Sequence, residues 1–159
     1  MIAGIISDSH DHLDNLRKAL ELFKQRNVEY IIHAGDFTSP FTRRVLKDFQ
    51  GGFVGIFGNN DGDRVLLKTI YNDSLFVQPY ILTLCNRTIV VMHEPDVVDA
   101  LAASGHFDLV VYGHTHEPVV RNVGSTLIVN PGEVCGWLYG KPSAAVVDLD
   151  DMKVEIILL

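Results

Sequence analysis

Apolar residues come along this chain in short runs closed by glycine or polar residues. The runs first alternate with amphipathic stretches and later follow one another directly. IAGII (2–6) stops at Ser7-Asp8, the pattern of a buried strand. Leu13, Leu16, Leu20 and Phe23 then recur at helical spacing, with Asp11 or Asp14 available as the N-cap. VEYIIHAG (28–35) predicts a second strand. TSPFTRRVLKDF (38–49) sets a cap residue before Pro40 at a first-turn position and predicts a second helix. FVGIF (53–57) predicts a third strand, stopped by Gly58. A β-α-β-α-β alternation implies a parallel sheet with right-handed crossovers and helices on its faces.

The second half is strand-rich. Residues 75–93 hold two or three strand-like runs (SLFV, YILTL, TIVVMH), with Asn86-Arg87 marking a hairpin turn. A short helix is expected over Asp96 to Ser104. DLVVYG, PVVRNV, STLIVN, SAAVVDL and KVEIIL then follow, separated by turn residues. An α/β half followed by such a half predicts two sheets packed face to face and flanked by helices.

Composition narrows the function class. At 159 residues the chain is expected to form one domain, 1–159, with a substantial core. Hydrophobic residues make up 47% and charged residues 21%, ordinary for a globular protein. No stretch reaches the roughly 18 apolar residues of a membrane span, and the N-terminus has no basic leader, so a cytoplasmic protein without membrane partners is expected. The formal net charge of -7 argues against a long nucleic-acid groove, which needs clustered Lys and Arg. Cys85 and Cys135 are read as reduced, mostly buried thiols, because two cysteines make neither a zinc ribbon nor a disulfide framework.

Chemistry concentrates where the strands end. The first ends in Asp8-Ser9-His10, the second in Gly35-Asp36 and the third in Gly58-Asn59-Asn60-Asp61. Later strands end in His93 and in Gly113-His114-Thr115-His116. Ligands of open α/β sheets bind outside the carboxyl ends of the strands. An aspartate at a strand end is most often a cap, Asn-Asn-Asp-Gly is usually a turn, and a lone strand-end histidine is usually structural. Those readings would have to hold independently at five places, so a cluster is the better account. Carboxylate, imidazole and amide oxygen without thiolate suit Mn, Fe, Co, Ni or Zn. Seven ligands are too many for one open catalytic ion, and two ions bridged by a carboxylate suit displacement at phosphorus.

DSH (8–10), GD (35–36), GNND (58–61), His93 and GHTH (113–116) resemble, in order and spacing, the motifs of the calcineurin-like metallophosphoesterases. The likeness is strongest to the small YfcE-like phosphodiesterases and includes NPGE (130–133). It implies a four-layer α/β/β/α sandwich of two mixed sheets. It also implies two divalent ions, Mn²⁺ or Ni²⁺ favoured over Fe, Co or Zn. Asp8, His10 and His116 would hold the first, Asn59, His93 and His114 the second, and Asp36 would bridge them. Asp36, Asn59 and His93 become the expected catalytic residues. A small phosphodiester would be hydrolysed by a metal-bridging hydroxide without a covalent intermediate. Alternatives are a phosphomonoesterase or a non-catalytic Vps29-like scaffold; an Mre11-like nuclease is disfavoured by the short, acidic chain. Assembly is left open, a homodimer included.

Two departures from the pattern matter. Asn60 stands where many relatives carry a His that protonates the leaving group, which predicts a preference for acidic leaving groups such as aryl esters. Glu94-Pro95 follows His93 where relatives commonly have glycine, placing an acid beside the second metal. Asp61, or the backbone from Asn130 to Gly132, is expected to support the ligating histidines. His12 is expected at the rim, His33 buried behind the ligands, His106 on the surface and Arg64 at a helix start.

Overall fold

The computed structural model describes Met1–Leu159 and places seven strands of mixed length and four α-helices before the GHTH motif. β1 (Ile2–Ile6), β2 (Tyr30–His33), β3 (Gly52–Ile56) and β4 (Leu75–Phe76) run parallel. β10 (Ser143–Asp148) and β11 (Lys153–Leu158) extend the same sheet on the antiparallel side, giving the order β11-β10-β1-β2-β3-β4. A second sheet has the order β5-β6-β7-β9-β8. It comprises β5 (Tyr80–Leu84), β6 (Arg87–Val91), β7 (Leu109–Val111), β8 (Pro118–Val123) and β9 (Thr126–Pro131).

The two-residue period of each strand builds the layers. Ala3 and Ile5 of β1 face the second sheet, joining Ile89, Val91, Leu109, Val111, Leu127 and Val129 in one core. Ile6 points the other way, into a core with Leu16, Ala19 and Phe23 of α1 (Leu13–Gln25). α2 (Arg43–Leu46) and α3 (Arg64–Tyr71) cover the same outer face through Val45, Leu46, Leu67 and Tyr71. On the far side Val90, Val110 and Ile128 pack under α4 (Val98–Ala103). These are the four layers expected. Each fully buried Ile or Leu contributes about 1.5–3 kcal/mol, so truncating Leu109 to alanine between the sheets costs about 2–5 kcal/mol. No helix is long and apolar enough to cross a membrane.

Several local expectations are corrected. His12, not Asp11 or Asp14, caps α1: its Nδ1 accepts the Asn15 N–H at 3.3 Å. The helix after Pro40 is a 3₁₀ turn (Pro40–Thr42) followed by the single turn of α2. The β5–β6 hairpin turns one residue earlier, at Cys85-Asn86, with Leu84 pairing Arg87. Both turn residues have positive φ, 50° and 60°, the conformation of a tight two-residue turn. Cys85 is therefore exposed, whereas Cys135 is buried as expected.

Candidate metal centre

The chain does not stop bonding where β1 and β2 stop. Asp8 N–H donates to the Gly35 carbonyl at 3.0 Å and His10 N–H to the Asp36 carbonyl at 3.1 Å. At those positions the backbone turns left-handed, with φ of 51° at Asp8, 39° at His10 and 60° at Asp36. His114 and His116 do the same beyond β7, at 67° and 62°. Such conformations cost on the order of 1–3 kcal/mol each and persist where the surroundings impose them, as at ligand-binding sites. At Gly113 it is close approach that requires glycine: a Cβ would overlap the Ser7 hydroxyl and press on Asp8 Oδ2 at 2.9 Å. Asn130 pins the turn, its amide donating to the Gly113 carbonyl at 2.9 Å and to Thr115 Oγ1 at 3.0 Å.

All seven residues singled out in the sequence meet at this rim, in two groups. Asp8 Oδ1 lies 3.3 Å from His116 Nε2 and 4.0 Å from His10 Nε2. Asn59 Oδ1 lies 2.8 Å from His93 Nε2 and 2.9 Å from His114 Nδ1. Asp36 Oδ2 stands between them, 3.5 Å from His10 Nε2 and 3.4 Å from His93 Nε2. His114 and His116 thus serve different groups, although only Thr115 separates them.

The support of the histidines differs from expectation. Asp61 holds none of them; it accepts the Thr38 and Gly58 N–H groups, each at 2.7 Å, and so braces the GNND loop. The residue that was missed is Glu133. Fully buried, it accepts from His116 Nδ1 at 2.7 Å and from the Tyr139 and Leu138 N–H groups at 2.8 and 3.1 Å. Burial alone would raise its pKa, but His116 and these N–H groups bring it down to about 2. His93 Nδ1 donates to the Ala34 carbonyl at 2.8 Å, and His10 Nδ1 meets Thr38 Oγ1 at 3.1 Å. Asn60 does more than lack an acid: its backbone N–H and its amide donate to Asp36 Oδ1 and Oδ2 at 2.8 and 2.7 Å.

These bonds fix the tautomers and supply a test of fit for a cation. With Nδ1–H of His116 directed at Glu133, its Nε2 lone pair faces Asp8 Oδ1, a buried carboxylate oxygen that has no hydrogen-bond partner. With Nδ1–H of His93 on Ala34, its Nε2 faces Asp36 Oδ2 and Asn59 Oδ1, holding there a proton whose place a bound cation would take. Imidazole nitrogens and carboxylate or amide oxygens converge in both groups, and at Asp8 an acceptor faces an acceptor, an arrangement that a divalent cation satisfies. The charges agree. Burial raises the Asp8 pKa; at Asp36 burial opposes ionisation too, but hydrogen bonds from His93 and Asn60 and the His93 charge hold it well below the carboxylate range. Burial lowers the affinity of His93 for a proton, and Asp36 reverses this to a pKa of about 9, so the local field favours positive charge. Cys135 Sγ lies within 4.8 Å of ligand atoms of His10 and His116. Its thiol donates to Glu133 Oε2 at 3.2 Å, and burial pushes it up to about 12, so it stays protonated.

The remaining residues fall into place around the site. His33 is fully buried: Gly35 N–H donates to its Nδ1 at 3.2 Å, so its Nε2–H bonds Ser9 Oγ at 2.9 Å. Arg64 begins α3, donates to the Gly58 carbonyl at 2.7 Å and lies over Phe57. His12 is half-buried at the rim and His106 is exposed. Glu94 Oε2 is shielded from solvent without a hydrogen-bond partner.

The sequence model of the calcineurin-like phosphoesterase superfamily domain matches residues 1–152. The chain belongs to this superfamily. It is 38% identical over 165 residues to phosphodiesterase MJ0936 of Methanocaldococcus jannaschii, covering 100% of this chain and 99% of that protein. It is 25% identical over 166 residues to phosphodiesterase YfcE of Escherichia coli (strain K12), covering 93% and 88%. A solved structure described as a novel archaeal phosphodiesterase superposes with a TM-score of 0.93 at 37% identity over 100% of both chains. This phosphoesterase is therefore a metal-dependent enzyme of the YfcE-like group, and its donor groups fit the divalent ions that the superfamily implies.

Proposed function

We propose that this phosphoesterase hydrolyses small phosphodiesters with two divalent cations held side by side at the rim. Asp8, His10 and His116 would hold one, Asn59, His93 and His114 would hold the other, and Asp36 would serve both. The observation that carries the reading is the position of Asp36 Oδ2, midway between His10 Nε2 at 3.5 Å and His93 Nε2 at 3.4 Å. When bound, such a pair supplies Lewis acidity at the phosphoryl oxygens and a nucleophilic water at neutral pH. The chain's own residues do the positioning. Asn60 holds both carboxylate oxygens of Asp36, Glu133 and Ala34 orient His116 and His93, and left-handed strand ends fix Asp8, His10, Asp36, His114 and His116 in advance. Imidazole, carboxylate and amide donors beside a protonated Cys135 favour Mn²⁺ or Ni²⁺ over a thiophilic metal.

Diesters are favoured over monoesters on two grounds. Two relatives of this chain, from Methanocaldococcus jannaschii and Escherichia coli, are named phosphodiesterases, and Asn60, committed to Asp36, offers no proton to a poor leaving group. The net charge of -7 favours small substrates over long nucleic acids. The deciding experiment is metal analysis coupled to a panel of monoesters and diesters with Mn²⁺, Ni²⁺ and Zn²⁺ supplied separately. Turnover of aryl diesters well above the matching monoesters is expected. Preference for monoesters would overturn the diesterase assignment, and no turnover with any metal would return the chain to a binding scaffold.

A further inference from the structure

Between β9 and β10 the chain makes a loop whose apolar side chains are turned outward at the same rim. Trp137, Leu138 and Tyr139 are 65%, 67% and 51% exposed. Contiguous exposed apolar residues of this size mark contact sites more often than chance. Trp137 stacks on His10, ring centres 5.9 Å apart and planes within 25°, and His10 stacks in turn on His116 at 5.4 Å and 22°. His12 lies 6.2 Å from the indole at a tilted angle. The indole is thus one ring away from the His10 nitrogen that faces Asp36 Oδ2.

The loop is held rather than loose. Val134 and Cys135 N–H groups donate to the Ser7 and Asp8 carbonyls at 3.0 and 3.1 Å, and Gly140 N–H closes on Gly136 O at 3.1 Å. Glu133 takes the N–H groups of Leu138 and Tyr139, the two residues after the tryptophan. Gly136 turns the chain at φ +70°, where a Cβ would press on Pro142 at 3.0 Å. An exposed aromatic on a backbone fixed in this way loses little freedom when a flat group settles on it. Stacking also supplies attraction that does not depend on charge, which suits a chain of net charge -7 meeting an anionic ester.

We propose that Trp137 is a stacking wall that selects phosphodiesters carrying a planar aromatic group, a nucleobase or an aryl ring, on the His10 side of the rim. This rests on the phosphodiesterase reading above. Trp137 is the only tryptophan of the chain, so intrinsic fluorescence reports on this position alone. In Zn²⁺-loaded protein, saturable quenching is expected with AMP and little change with ribose 5-phosphate or inorganic phosphate. Trp137→Ala should raise KM for bis-p-nitrophenyl phosphate about tenfold to a hundredfold with kcat nearly unchanged, and leave an alkyl glycerophosphodiester unaffected. Trp137→Phe should retain most of the aryl preference. Equal quenching by ribose 5-phosphate and AMP, or an unchanged KM in Trp137→Ala, would overturn the wall while active enzyme upholds the phosphodiesterase reading. AMP-specific quenching in a chain that turns over no phosphoester would do the reverse.

Discussion

Replacing Glu133 by glutamine keeps the volume of a fully buried side chain and removes its charge. Oε2 now accepts from His116 Nδ1 at 2.7 Å, Leu138 N–H at 3.1 Å and the Cys135 thiol at 3.2 Å, while Oε1 accepts the Tyr139 N–H at 2.8 Å. The least damaging amide orientation keeps its oxygen on His116 and Leu138. Its NH₂ group then confronts the Tyr139 N–H, donor against donor. One such unmade buried bond costs about 1–3 kcal/mol, which in a chain of this size lowers Tm by about 2–4 °C for each kcal/mol. The weaker, uncharged acceptor also makes His116 a poorer metal ligand, and losses at such supporting positions run about 10–100-fold in metal affinity. Calorimetric melting of chelated protein and isothermal titration with Mn²⁺ measure the two effects separately. A lowered Tm with unchanged affinity for both ions would refute the reasoning, because Glu133 would then brace the loop without tuning His116.

Three further outcomes follow from the same geometry. Asn59→Ala and His93→Ala should each cut hydrolysis of an aryl diester by orders of magnitude, with far-UV circular dichroism unchanged; full turnover would remove these residues from the site. Asn60→His adds an acid but forfeits the 2.7 Å bond to Asp36. It should slow aryl diesters while raising the alkyl-to-aryl rate ratio, and a rate pattern flat in leaving-group pKa would sink the missing-acid account. His33 is held neutral, its pKa lowered from 6.5 to about 3 by burial, so the unfolded chain takes up a proton that the folded chain refuses. Stability is therefore lost as pH falls below 6.5, by about 2 kcal/mol at pH 5 from this group, and urea unfolding of His33→Gln should show that slope removed.

Much of this was readable from residue order because the parallel strands put their carboxyl ends on one rim. Once IAGII, YIIH, FVGI, TIVV and LVV are strands, Asp8, Asp36, Asn59, His93 and His114 have nowhere else to gather. Glu133 was not found because it meets His116 across the β8–β9 hairpin. The signal existed: Pro118 pairs with Pro131, and running that register two residues further sets His116 opposite Glu133. The shortness of α2 and the cap at His12 depend on packing and on a left-handed Asp11, which periodicity does not encode. The role of Asn60 was hidden for a similar reason. Absence of an acid can be read from one letter, but a hydrogen bond to Asp36 requires knowing that β2 and β3 are neighbours.

The central claim is that Asp36 joins two cation sites into one centre. Counting bound Mn²⁺ per chain in metal-stripped protein, by titration calorimetry with elemental analysis of the dialysed complex, tests it most directly. The account predicts close to two ions in the native chain, and saturation at one ion or none would contradict it.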